Sequence, residues 1–84
     1  MRFMVLGAWD PMAPEIPRLL ASEQARTREL TDEGVIQQLL LRADGAGGYM
    51  VVDAESAEVA HDLLSTLPFM KAGIMQIDLV ELRG

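Results

Sequence analysis

The chain opens on a short alternation, with Phe3 and Val5 on one side and Met4 and Leu6 on the other. Residues 2–7 therefore predict a strand that is at least partly buried on both faces. Residues 8–17 hold Pro11, Pro14 and Pro17. The first two suit a connection, whereas Pro17 fits an opening helical turn, so a helix is expected from near Pro14. Ile16, Leu20, Glu23, Thr27 and Leu30 recur at helical spacing up to Asp32, Leu19 widens the stripe, and Gly34 supplies a stop. Residues 35–42 predict a second strand. The glycine-rich stretch Asp44-Gly45-Ala46-Gly47-Gly48 then turns the chain into a return strand over 49–53. Ala57, Ala60, Leu64 and Leu67 share one face of a helix expected over 57–67 and ended by Pro68. Over 74–82, Met75, Ile77 and Leu79 alternate with Gln76, Asp78 and Val80 as a last strand.

The order βαββαβ is the split-βαβ arrangement: an α+β fold in which two helices cover one face of a four-stranded antiparallel sheet. The uncovered face would carry Met4, Leu6, Gln76, Asp78 and Val80, too apolar for free solvent and too polar for a dry core. A second copy could close it into a barrel. With 84 residues, 50% of them apolar, the chain is read as one domain over 1–84. A domain this short buries about 60–65% of its unfolded surface, so subunit association is an expected source of stability.

Charge narrows the partners. Thirteen acidic against seven basic residues give −6, with no run of Lys or Arg to offset it, which argues against nucleic acid. No cysteine is present, so thiolate chemistry is excluded, and no apolar run approaches a bilayer span or a signal core. A cytoplasmic location is expected, without membrane contact. One histidine and scattered carboxylates form no metal constellation, and no metal or cofactor is expected. The glycine cluster lies between strands and lacks the P-loop ending, so it reads as a turn and not a phosphate cradle.

Three residues are candidates for proton transfer. Glu23 lies on the apolar stripe between Leu20 and Leu30, where partial burial would raise its pKa toward that of a useful base; alternatively its head pairs with Arg26 or a strand residue. His61, the sole imidazole, borders the second helix's apolar face and is either a packed or capping residue or a general base. Asp78 shares a strand face with Gln76, and both would point into a cavity of the closed barrel or serve only the subunit interface. For substrate binding, Arg42 could grip a carboxylate or form a surface salt bridge, and a one-residue slip would reverse its face. Tyr49 could donate its hydroxyl or anchor its strand, and Trp9 could lid an apolar cavity or pack against a partner.

The helix end Thr31-Asp32-Glu33-Gly34, the strand Tyr49-Met50-Val51-Val52-Asp53 and the stretch 60–69, Ala-His-Asp-Leu-Leu-Ser-Thr-Leu-Pro-Phe, resemble the muconolactone isomerases and their relatives. The likeness spans roughly Leu19 to Leu82. It implies a ferredoxin-like fold of the dimeric α/β-barrel superfamily, with homodimers formed by sheet-to-sheet closure and, in the isomerases themselves, decamers. It also implies an acidic position that matches Glu23. The isomerases carry basic side chains where Met4 and Leu6 stand here, and Trp, Arg and His near Ile36, Gln37 and Gln38. The expected function is a cofactor-independent isomerase or cyclase moving a proton on a small lactone, unsaturated acid or polyketide-like molecule. The alternatives are a noncatalytic small-molecule-binding or assembly protein and a cofactorless monooxygenase.

Overall fold

The computed structural model describes residues 1–83. Its elements are β1 (Arg2–Trp9), α1 (Ile16–Asp32), β2 (Ile36–Leu41), β3 (Gly47–Asp53), α2 (Ala57–Leu64), α3 (Pro68–Lys71) and β4 (Met75–Leu82). The strands form one antiparallel sheet in the order β2-β3-β1-β4, the ferredoxin-like arrangement. Phe3, Val5, Val52, Leu30, Leu64 and Leu67 are almost completely buried and form the heart of the core between sheet and helices.

Local chemistry explains the element ends. Helix α1 begins at Ile16, two residues beyond Pro14, because a hydrogen-bonded turn from Ala13 O to Ile16 N occupies the approach and Pro17 takes a first-turn position. Gly34, at φ +81°, terminates it as a Schellman motif: Val35 N donates to Leu30 O at 2.9 Å and Gly34 N to Thr31 O at 3.0 Å. Ser56 caps α2 by accepting from Val59 N at 3.1 Å.

The second helix is divided where the sequence predicted one continuous run over 57–67. Ser65 Oγ donates to His61 O at 2.7 Å and Thr66 Oγ1 to Leu63 O at 2.6 Å, so hydroxyls take carbonyls at the end of α2. Leu67 is then held extended, at φ −66° and ψ 135°, as a residue before proline prefers. Pro68 consequently opens α3 and does not end α2. The third strand is longer than its expected 49–53, beginning at Gly47, where φ is +154° and a Cβ would lie 2.1 Å from Gly7 O.

A bulge sets the faces of β2. Ile36 pairs with Val52, but the next partner of Val51 is Gln38, so one extra residue is absorbed. Ile36 stays in the core, and Leu39 and Leu41 fall on that same inner face opposite Met50 and Gly48. Leu40 and Gln38 point outward. Without the bulge, the pleat would place Leu39 and Leu41 on the opposite side from Ile36.

Candidate functional site

A cavity of about 400 Å³ lies on the helix side of the sheet, between α1 and the strands. Its floor follows from one row of register, Leu41–Gly48–Gly7–Ile77, in which the two central strands contribute no side chain. Met50 and Met75 flank that gap. Helix α1 forms one wall through Leu20, Glu23, Gln24, Thr27, Arg28 and Thr31, and Leu39 and Leu41 of edge strand β2 form the other. Trp9, Leu67 and Phe69 close the end. There the rings of Trp9 and Phe69 meet edge to face, with centroids 5.5 Å apart and planes at 71°. The volume and largely apolar lining suit a small organic molecule.

Glu23 is the one acid lining this space. Its Oε1 accepts from the backbone N–H of Phe69 at 2.9 Å, which fixes the carboxyl against the start of α3. Burial pushes its pKa above the ordinary glutamate range, and the Phe69 N–H bond opposes part of that rise. The carboxyl is thus anchored through one oxygen and leaves the other for a ligand. Arg26, the alternative partner for Glu23, instead donates from Nε to Thr66 Oγ1 at 2.9 Å and approaches Glu29 at 3.5 Å. Among the described residues no hydrogen bond engages the side chain of Gln24 or of Thr27, whose carbonyl alone accepts from Thr31 Oγ1, so both remain able to donate to a bound oxygen.

The structure separates the sequence candidates. Glu23 and Trp9 meet at the cavity. Asp78 and Gln76 pair with Leu6 and Ala8 and point from the opposite, exposed face, where a second copy would meet them, and they do not line the cavity formed within the chain. The glycine pair clears one row of the inner face, whereas the neighbouring row of the outer face has a side chain at every position. Tyr49 lies on that outer face between Leu6 and Leu40. Arg42 is bound to Asp44 across the hairpin, where the carboxylate also accepts from Ala46 N at 3.0 Å. That backbone bond, followed by Arg42, holds the Asp44 carboxyl below its usual range. His61 is exposed on α2, with Nδ1 3.3 Å from Ser65 Oγ, and does not line the cavity.

Gln24, Arg28 and Thr31 had no place among the sequence candidates. Their signal was available in outline: residues 20, 24 and 28 form an i, i+4 row beside the row 23, 27, 31. The glycine floor was not, because pairing Gly7 with Gly48 requires the register of two strands distant in sequence. Among the described residues no group of acidic and histidine side chains is arranged to hold a metal ion. No described helix is long and apolar enough to cross a membrane.

Comparison with known proteins agrees with this architecture. The crystal structure of a muconolactone isomerase is 30% identical over 98% of this chain and 88% of its own, with a TM-score of 0.79. A 5-chloro-2-hydroxyhydroquinone dehydrochlorinase from Burkholderia phenoliruptrix AC1100, solved with 2,5-dihydroxybenzoquinone, shares the fold. It has 22% identity and a TM-score of 0.77, over 99% of this chain and 94% of its own. No curated protein sequence matches the chain. The family model described as muconolactone delta-isomerase matches residues 3–83, and the chain belongs to that family.

Proposed function

We propose that the protein is a cofactor-independent isomerase that relocates a proton, and with it a double bond, on a small unsaturated lactone or acid held under α1. The observation that carries this reading is Glu23: a carboxyl with a raised pKa, anchored by Phe69 N at 2.9 Å and facing a mostly apolar cavity. A general base works best when its pKa lies near the working pH, and partial burial moves Glu23 in that direction.

In the proposed reaction the free oxygen of Glu23 takes a proton from a carbon adjacent to a carbonyl. The C–H electron pair moves into the conjugated system and develops charge on the carbonyl oxygen. Thr27 and Gln24, one helical turn and one residue beyond Glu23, are the donors for that oxygen. The protonated Glu23 then returns its proton to a different carbon, so no atoms are gained or lost. Trp9 and Phe69 shield the exchange from water at the closed end.

The reading includes a homodimer. Leu6, Leu40, Tyr49 and Val80 are exposed on the outer face, and Leu40 and Val80 retain more than half of their accessible surface. A second copy against this face would cover it without entering the cavity.

The test is muconolactone in D₂O followed by proton NMR. Deuterium incorporation or double-bond migration with the wild type, lost in Glu23→Gln, is the expected result. Binding without either reaction would favour a noncatalytic ligand-binding protein.

A further inference from the structure

Among the described residues one cation, Arg28, borders the cavity. Arg28 stands on the rim in the row of Leu20 and Gln24, outside the deeper row that holds Glu23 and Thr27. Among the described residues its guanidinium makes no hydrogen bond or ion pair. Of the two acids beside it on α1, Glu29 is engaged by Arg26, and Asp32, one turn on, makes no ion pair with it among the described residues; Arg42 is engaged by Asp44, away from the cavity. Arg28 is therefore an uncommitted guanidinium at the mouth of an apolar space whose acid lies near the closed end.

We infer that Arg28 is the specificity residue that selects a carboxylate-bearing ligand and orients it with the carboxylate outward and the reacting carbon toward Glu23. This rests on reading the cavity as the substrate site. Five residues separate the two side chains, about 7.5 Å along the helix axis. A compact acid spans that interval with its carbon skeleton over Gly7 and Gly48 and its far edge against Trp9 and Phe69. A guanidinium holds a carboxylate through two parallel hydrogen bonds, which fixes direction as well as affinity. The requirement is sharpened by the net charge of −6: the overall field disfavours an anionic ligand, so a local cation must supply the attraction. Reversed binding would bring the ligand's carboxylate against that of Glu23.

Trp9 is the sole tryptophan and lines the cavity, so its fluorescence reads occupancy without requiring turnover. The experiment titrates wild type, Arg28→Gln and Arg28→Lys with trans-cinnamate, its neutral carboxamide and muconolactone. The wild type is expected to bind cinnamate about ten- to a hundredfold more tightly than the amide, the range for hydrogen bonds to a charged group. Arg28→Gln should erase that preference while leaving amide binding unchanged, and Arg28→Lys should restore part of it. Where turnover of muconolactone is seen, Arg28→Gln should raise KM far more than it lowers kcat. Equal binding of acid and amide by the wild type, a preference that survives Arg28→Gln, or no binding of any probe would overturn the assignment. Anion preference without proton exchange would instead uphold Arg28 and reject the isomerase reading.

Discussion

The two faces of the sheet differ in composition and in cover: the inner face is almost wholly apolar and holds the cavity, whereas the outer one mixes Leu6, Leu40 and Val80 with Gln38, Tyr49, Gln76 and Asp78. On the inner face, the glycines of β1 and β3 leave a gap that α1 roofs over, and Glu23 reaches into it. On the outer face, the neighbouring row Leu40–Tyr49–Leu6–Asp78 has a side chain at every position and no helix above it. The same functional group, a carboxylate, therefore has two different environments. Glu23 is half-buried and held by a backbone N–H, whereas Asp78 is exposed. Chemistry follows from the missing side chains as much as from those present.

The largest effect should come from exchanging the two carboxylates for amides. Glu23→Gln should lower proton exchange about 10²–10⁴-fold, with the amide oxygen still able to accept from Phe69 N. Asp78→Asn should leave the rate within about twofold, because nothing on its face reaches the cavity. Comparable losses from both, in the same NMR assay, would erase the distinction between the faces.

Packing should differ in the same sense. Leu64→Ala removes a fully buried side chain and should cost about 2–5 kcal/mol in urea unfolding. Leu40→Ser, on the outer face, should change the stability of the dissociated chain by under about 0.5 kcal/mol and show its effect in self-association, read by sedimentation.

The raised pKa of Glu23 gives a pH signature on both activity and stability. Activity should rise with pH along a limb centred above the ordinary value of about 4.3, as the base ionises. Stability has the opposite sign. The native state holds the proton more tightly than the unfolded one, so Glu23's contribution is full below the unfolded-state pKa and is lost as pH rises through the native value. Urea titrations of wild type and Glu23→Gln across this window should differ by that decline; parallel profiles would show that burial does not shift Glu23.

A smaller effect is expected at the floor. A Cβ at Gly7 would sit 3.6 Å from Met75 Sδ and 3.7 Å from Gly48 O, ordinary contact distances. Gly7→Ala should keep the fold intact while narrowing the cavity, weakening ligand binding a few-fold with little change in Tm. An unaltered affinity would mean that ligands do not rest on the glycine floor.

The element order was legible because the apolar spacing changes from 2 to 3.6 and back, and because Gly34 and Ser56 mark helix boundaries by their own chemistry. Glu23 was legible for the same reason, as a polar interruption in an apolar stripe. Trp9 was open between lidding an apolar cavity and packing against a partner, and it lines the cavity beneath α1. Misreading arose where one residue carried two signals: Pro68 ends helices and also begins them, and the hydroxyls of Ser65 and Thr66 decided between those roles. Asp78 and Gln76 lie on the strand face expected of them, where a second copy would have to close any space, whereas the cavity formed within the chain lies on the other face. Its location depended on pairing Gly7 with Gly48, which no local pattern encodes. For Arg42, a carboxylate grip and a surface salt bridge were both open from sequence, and the hairpin brings Asp44 against it.

The most direct test of the account is a crystal structure of the protein soaked with muconolactone. Ligand density beneath α1, with a carbon against the free oxygen of Glu23 and the ring over Gly7 and Gly48, is the predicted result. Density against Asp78 and Gln76, with the space beneath α1 empty, would contradict it.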